Sequence, residues 1–396
     1  MNVLVVDDSA LIRRELGKLL EKSGFVVDFA KNGKESIEKV MQQDYDVITM
    51  DINMPEMDGV SAVKIIMKQK PTPIVMVSSL TQSDADITFE ALECGAVDFV
   101  GKPGTITLRV QESGDEIISK VLAASKIPKN RLIIRKKGNQ VKSNLDNQFK
   151  EKVVHNNTFK SNKIVLVGSS TGGPGLIEKI AMTLPVDYPH PICVVQHMPE
   201  SFTAKFASRL NNISNLNVLE ATNGEVVSSG KIIIGRGGYH LTFSKKASGN
   251  VVIKLSSNTA NSFFVPSVDE MFFSAVNNFE CKNILAIELT GIGDDGANGM
   301  VELKKNGAKT IGESKETAVI YGMPRVAFEK GGTTLVLPFP KIFSNLCLGA
   351  SWDVAYTRIL FLCPHWNTAV ESCNKYFVDC DLYNGSGGNT EEITCN

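Results

Sequence analysis

Residues with the types and spacing for chemistry fall into two sets along this chain. The first is Asp7, Asp8, Asp51, Ser78 and Lys102. Three carboxylates brought together repel one another unless a hard cation neutralises them, and carboxylate, carbonyl and water oxygens suit Mg²⁺. Lys102 then offers a point charge to a phosphoryl oxygen and Ser78 a hydroxyl donor. That leaves Asp51 as a nucleophile able to carry a phosphoryl group as an acyl phosphate. The second set is Ser170 within Gly168-x-Ser170-x-Gly172, His197, and the pair Asp294-Asp295. Serine, imidazole and carboxylate are the parts of nucleophilic acyl transfer, provided they meet.

Any one of these residues has a plainer explanation. An aspartate at a strand end is usually a turn or cap residue, Ser170 could bind a phosphate or cap a helix, His197 could be a satisfied loop histidine, and Asp294-Asp295 an N-cap. The elements that carry them argue otherwise. Short β-rich runs alternate with amphipathic stretches through residues 1–125: strands Asn2–Val6, Val26–Ala30, Val47–Met50, Ile74–Val77 and Asp98–Val100, and helices Ala10–Lys22, Lys34–Met41, Gly59–Met67, Asp84–Cys94 and Ile106–Ala124. This βα repeat predicts a parallel sheet wound on both faces, with ligands outside the carboxyl ends of its strands. The residues of the first set all fall at those ends.

The second set follows apolar strands in the same way. Lys163–Val167 runs into the glycine-rich turn and a helix predicted over Leu176–Leu184, Pro191–Gln196 runs into His197, and Asn283–Leu289 into Thr290–Gly296. Glycines at this turn fit either a dinucleotide pyrophosphate at a helix N-terminus or a nucleophile elbow. A dinucleotide site calls for an acidic residue at the end of the next strand, where this chain has Gln196-His197, and no Tyr-x-x-x-Lys pair is present. If the three strands are parallel neighbours, Ser170, His197 and one of the two aspartates emerge at one edge. His155, His190 and His240 are rival bases, but none directly follows a comparable strand.

Composition and charge set the outer limits. The chain has 396 residues, 43% hydrophobic and 21% charged, with no apolar run near the roughly 18 residues of a membrane span. Two or three domains are expected. The N-terminus meets Asp7-Asp8 after a short apolar run and lacks a basic n-region, unlike a signal peptide, so a cytoplasmic location without membrane insertion is expected. The formal net charge of −1 hides a division into −7 over residues 1–125, +9 over 126–163, +1 over 164–344 and −4 over 345–396. The basic stretch holds seven asparagines and no sustained apolar period, as a solvated linker does. It carries no nucleic-acid motif, and no nucleic-acid partner is expected. Five of the eight cysteines and both tryptophans lie in the last 52 residues, where Cys363, His365, Cys373 and Cys380 fit no standard zinc spacing.

Two resemblances follow from these residues. Val5–Ser9, Met50–Gly59, Val77-Ser78-Ser79 and Asp98–Pro103 resemble the receiver domain of two-component response regulators over about 120 residues. The resemblance implies a (βα)5 fold with Asp51 as phospho-acceptor, and Asp7, Asp8, Asp51 and the backbone carbonyl of Asn53 around Mg²⁺. It also implies Ser78 and Phe99 as switch hydroxyl and switch aromatic, and a cis peptide at Lys102-Pro103. Gly168–Gly173, Gln196–Pro199, Pro266–Asp269, Leu289–Ala297 and Glu316–Arg325 resemble the catalytic domain of chemotaxis-type protein-glutamate methylesterases, enzymes that join this domain to an N-terminal receiver. That resemblance selects Asp295 over Asp294 as the triad acid. It implies hydrolysis of glutamate γ-methyl esters, and deamidation of glutamines, on chemoreceptors, with no cofactor for the ester reaction and a chemotaxis histidine kinase as phosphodonor.

The expected organisation is therefore a receiver domain over 1–125, a linker over 126–162, a doubly wound, Rossmann-like α/β catalytic domain over 163–344, and an extension of unknown role over 345–396. The amides of Thr171, at the helix N-terminus, and Ile292, in the Gly291–Gly293 turn, are the oxyanion candidates. Ile292 stands where the family usually has Met, Val265 where an Arg is common, and Gly235–His240 and Ile311–Ser314 diverge from the usual runs; none of these removes a triad member. The alternatives are an output domain that only binds receptors or kinase, and a dinucleotide-dependent enzyme under phospho-control.

Overall fold

The structure, a computed structural model, describes residues 1–79, 81–102, 110–129, 131–132, 162–257 and 264–347. The Lys102-Pro103 peptide, His155, most of 126–162 and the cysteine-rich 348–396 lie outside the described residues. No helix among the described residues is long and apolar enough to cross a membrane.

The first sheet has five strands, β1 (Asn2–Val6), β2 (Val26–Ala30), β3 (Val47–Asp51), β4 (Ile74–Ser78) and β5 (Asp98–Gly101), in the order β2-β1-β3-β4-β5, all parallel. Between and after them run α1 (Ala10–Lys22), α2 (Gly33–Gln42), α3 (Gly59–Gln69), α4 (Gln82–Glu93) and α5 (Val110–Ser125). Strands β3 and β4 are buried along their whole length, as a sheet covered by helices on both faces requires. The first four strand-to-helix loops at the carboxyl edge are each fixed by a capping side chain. Ser9, Asn32, Asp58 and Thr81 each accept the backbone N–H three residues on, a contact typically worth about 1 kcal/mol. These caps hold the residues at the strand ends in place.

The second sheet has seven strands in the order β14-β13-β12-β6-β7-β9-β8, again all parallel. They are β6 (Ile164–Ser169), β7 (Ile192–Gln196), β8 (Asn217–Glu220), β9 (Lys231–Ile234), β12 (Ile284–Glu288), β13 (Lys309–Glu313) and β14 (Leu335–Leu337). The helices are α6 (Gly173–Thr183), α7 (Glu200–Ile213), α8 (Val268–Asn278), α9 (Ala297–Lys305), α10 (Met323–Glu329) and α11 (Phe339–Cys347). Strands β10 (His240–Lys245) and β11 (Val251–Ser256) form a separate antiparallel pair. Alternate residues of β6 serve opposite layers: Val165 and Val167 pack with residues of α6 and α7, Ile164 and Leu166 with those of α8 and α9. Both sheets thus have the wound, parallel architecture the sequence implies. The boundaries moved where backbone chemistry outweighs side-chain pattern. The helix after β6 begins at Gly173, three residues before the predicted start, because Gly172 takes the left-handed conformation (φ +82°) and Pro174 suits a first helical turn. The helix predicted from Ile106 is described from Val110.

Candidate active site

Strand order decides which side chains can meet. β6 lies between β7 and β12, and the register pairs Ser169 with Gln196 and Gly168 with Glu288. Ser170 and His197 are each the next residue, so they leave adjacent strands at one level, and His197 N–H donates to Ser169 O at 3.0 Å. Gln196 clips the two turns together. Its side-chain oxygen accepts from Ser169 Oγ at 2.8 Å, and its amide donates to the carbonyls of Ser170 (3.0 Å) and His197 (3.1 Å). Ser170 is also packed against the turn that follows β12: a β-carbon on Gly291 would sit 2.9 Å from Ser170 Cβ, so only glycine permits this approach.

The carboxylate comes from farther away. Asp295 lies seven residues past β12, and its Oδ2 is 2.7 Å from His197 Nε2. The N-terminus of α8 fixes it there. Ser267 Oγ donates to Oδ1 at 2.7 Å, Val268 N–H to Oδ2 at 2.7 Å and Asp269 N–H to Oδ1 at 3.0 Å. Burial alone would push this carboxyl up, but the bond to His197 and the two backbone N–H groups hold it below the ordinary aspartate value. Asp294 is exposed and its carbonyl accepts from Ala297 N–H, so of the two aspartates Asp295 alone meets the imidazole. His197 Nδ1 is buried and has no hydrogen-bond partner among the described residues. The imidazole–carboxylate link is formed, and the second ring nitrogen is open among the described residues.

Thr171 is not itself in the helix: Gly172 is the N-cap, and Thr171 precedes it. Its hydroxyl bonds Asp98 Oδ2 of the first sheet and its carbonyl accepts from Thr290 Oγ1 at 2.9 Å. Ile292 stands in a turn pinned on both sides by the 320–323 segment, through Gly291 N–H to Ile320 O at 3.1 Å and Met323 N–H to Gly291 O at 2.9 Å. Neither the Thr171 nor the Ile292 amide has an acceptor among the described backbone bonds.

The first set of residues also converges. Lys102 Nζ is 2.9 Å from Asp7 Oδ2 and 2.8 Å from Asp51 Oδ2. Asp7, Asp8 and Asp51 present oxygens that all lie within 4.8 Å of one another. Asp7 and Asp51 are buried and Asp8 is exposed, an all-oxygen set open to water on one side, which fits a hard divalent cation. Burial pushes the Asp51 carboxyl up to about 6, and the Asp7 charge adds to this against the pull of Lys102. Lys102 is raised, because its bonds to Asp51 and Asp7 outweigh the opposing effect of burial. Ser78 ends β4, buried beside Asp51's strand, and Asn53 lies in the exposed bend two residues beyond Asp51.

Phe99 points away from this cluster, into the contact between the two sheets' layers. Its ring stacks on Phe202 of α7 with centroids 4.6 Å apart, while Phe89 of α4 stacks on Phe206 at 5.4 Å. Lys205–Asp86 and Arg209–Glu93 ion pairs flank these rings. Lys120 lies over the Phe99 ring and bonds its carbonyl at 2.9 Å. Arg131 donates to the carbonyls of Ala318 and Lys315, beside the segment that pins Ile292.

Several residues of the site are not evident from the sequence. Ser267 lies within Pro266–Asp269, a run that by itself assigns it no role. His240, treated as a rival base, is buried and accepts Ser267 N–H on Nδ1 at 3.1 Å, which ties it to the carboxylate's support. His190 precedes β7 and so lies at its opposite end from His197. Phe264, stacked on His197 with centroids 4.0 Å apart, carries no sequence signal at all.

Comparison with known proteins gives the family. The profile described as CheB methylesterase matches residues 165–346, and that of the response regulator receiver domain matches residues 3–111. The protein-glutamate methylesterase/protein-glutamine glutaminase 2 of Carboxydothermus hydrogenoformans is 46% identical over 351 residues, covering 87% of this chain and 98% of that protein. The protein-glutamate methylesterase/protein-glutamine glutaminase of Caldanaerobacter subterraneus subsp. tengcongensis is 43% identical over 346 residues, covering 86% and 94%. The crystal structure of the Thermotoga maritima CheB methylesterase catalytic domain is 39% identical and covers 48% of this chain and 98% of that one, with a TM-score of 0.45. The fold and the paired sites define a receiver-controlled α/β hydrolase. This chain belongs to the CheB methylesterase family, with a response regulator receiver domain ahead of the esterase domain.

Proposed function

We propose that this chain demethylates glutamate γ-methyl esters, and deamidates glutamines, on the methyl-accepting receptors of a chemotaxis system, under control of phosphorylation at Asp51. Residues 1–125 act as the regulatory unit, 126–162 as the linker and 163–344 as the catalytic unit. Ser170 attacks the ester carbonyl as His197 Nδ1 takes its proton, and Asp295 steadies the imidazolium through Nε2. The amides of Thr171 and Ile292 receive the tetrahedral oxyanion, a contribution of about 2.7–4 kcal/mol per donor. The imidazolium returns its proton to the departing methanol, or to ammonia from glutamine, and water then releases the acyl group by the same steps in reverse order. The observation that carries this reading is the 2.7 Å His197–Asp295 bond, together with the open, buried Nδ1 on the strand next to that of Ser170.

In the regulatory unit, Asp7, Asp8, Asp51 and the Asn53 carbonyl would hold Mg²⁺, which when bound neutralises charge on the incoming phosphoryl group. Asp51 accepts that group from a chemotaxis histidine kinase, while Lys102 and Ser78 hold its oxygens. The unphosphorylated receiver restrains the esterase through the contacts of Asp98 with Thr171 and Phe99 with Phe202. The test is methanol release by the full-length protein from membranes bearing methylated chemoreceptors. Ser170→Ala is expected to lower the rate roughly 10³-fold or more. Asp51→Asn is expected to keep the basal rate and lose stimulation by acetyl phosphate. Full activity of the Ser170→Ala protein would remove the mechanism.

A further inference from the structure

Phe264 lies three residues before Ser267, where the chain returns to begin α8. Its ring lies over that of His197 at 4.0 Å between centroids and 12° between planes. The same ring reaches the turn after β12, where a β-carbon on Gly293 would be 3.8 Å from Phe264 Cε2. A single partly exposed phenyl group therefore bridges the imidazole and the turn that carries the Ile292 amide. The imidazole is then limited on two sides: Asp295 holds Nε2 and Phe264 covers a face, which leaves Nδ1 as its one open nitrogen among the described residues.

We propose that Phe264 is a positioning residue for the proposed reaction, holding the His197 ring with Nδ1 toward Ser170 and favouring the imidazolium over the neutral ring. The physical basis is the aromatic quadrupole. Its negative face attracts a cation and is nearly indifferent to the neutral imidazole. Every proton transfer to His197 creates that cation, so the stacking is stronger in the transition state than in the resting enzyme. Among the described residues, Asp295 is bonded to the imidazole, and the half-buried Asp269 and the buried Glu288 lie near Asp295. Burial, reinforced by the Asp295 charge, pushes both of the latter toward their neutral forms. Asp295 and the Phe264 face are thus the groups that contact the imidazole directly.

This inference rests on the reading of His197 as the base, and two measurements keep the two apart. In full-length Ser170→Ala protein, which needs no turnover, the His197 pKa is read by NMR with and without Phe264→Leu. Leucine keeps the bulk and removes the π-face, so the pKa is expected to fall by about 0.4 to 1.5 pH units. In protein with Ser170 intact, Phe264→Leu is expected to lower kcat roughly 2- to 30-fold with KM within twofold, and to move the acid limb of the rate profile to lower pH. Phe264→Trp, which retains a π-face, is expected to restore both. An unmoved His197 pKa overturns the proposal, as does a lowered pKa with unchanged kcat, or a tryptophan variant no better than leucine. Full turnover by Ser170→Ala would instead overturn the triad reading, while the NMR comparison would still report on Phe264 and His197.

Discussion

The two sheet edges use buried aspartates in opposite ways. Asp51 is set at the very end of its strand, shares Lys102 with Asp7, and accepts one backbone N–H, from Ile52 at 2.7 Å. Its carboxyl is pushed up to about 6 by burial, with Asp7 adding to the rise. Asp295 is nearly as enclosed, its side chain 10% exposed, yet it receives four hydrogen bonds and is held below its ordinary value. The difference matches what each carboxyl has to do. A phospho-acceptor must be reactive and must have room for a cation and a phosphoryl group, so its neighbours leave it under-solvated. A triad acid must stay charged through every proton transfer, so its neighbours donate to it from all sides. Depth of burial does not separate the two; the number of donors does.

The largest test of that distinction is Asp295→Asn. A carboxamide keeps the shape but replaces one oxygen, met by two donors, with an N–H group, and it can hold the imidazole in the wrong tautomer. A loss of about 10⁴-fold in kcat is expected from the corresponding change in serine proteases, measured as methanol release. A variant retaining a tenth of the rate would show that charge at this position is not what the site is built around.

Ser267→Ala is the graded version. It removes one donor to Asp295 Oδ1, which still accepts Asp269 N–H at 3.0 Å, and it removes the side-chain cap of α8. A loss of roughly 10-fold in kcat is expected from a charged hydrogen bond of this kind, along with about 1 kcal/mol of stability from the cap. Ser267→Thr is expected to recover most of both. Loss of stability with kcat unchanged would make Ser267 a cap and nothing more.

What could be read from the sequence follows the same division. Asp7, Asp51, Ser78, Lys102, Ser170 and His197 are legible because each lies at or within a residue or so of the end of an apolar strand, and in a parallel sheet that one fact places it at the ligand edge. Asp295 is legible only through its motif, since a seven-residue excursion past β12 has no periodicity to follow. Ser267, His240 and Phe264 reach the site from β10 and the approach to α8, elements that neighbour the triad strands in space but not along the chain. The contacts of Thr171 with Asp98 and of Phe202 with Phe99 join the two sheets' layers, and no local pattern encodes them. The β10–β11 pair and the outer strands β8, β9, β13 and β14 are likewise not evident from the sequence pattern.

Glu288 is the control that the comparison itself supplies. It ends β12, is 0% exposed, and neither of its oxygens has a partner among the described residues. It lies close enough to Asp295 and Asp269 to feel both charges, and burial followed by those charges pushes its pKa well above the ordinary glutamate value. Near Asp295 but without donors, it is pushed toward its neutral form. Its sign for stability follows. The folded protein binds a proton that the unfolded chain releases near pH 4.3, so Glu288's contribution is present in full below that value and is lost as pH rises toward its folded pKa. Asp51 and Asp269 act in the same direction, but only up to about 6. Above about 6, where Asp51 and Asp269 no longer contribute, Glu288 is expected to make the unfolding free energy decline with rising pH until its raised folded pKa is passed, by at most about 1.4 kcal/mol per pH unit, and Glu288→Gln to remove that slope, whatever it does to the absolute value. Urea unfolding across this range reads the two slopes directly. Parallel lines for the two proteins would mean that Glu288 is ionised in the folded state without a donor, and donor count would no longer explain why Asp295 keeps its charge.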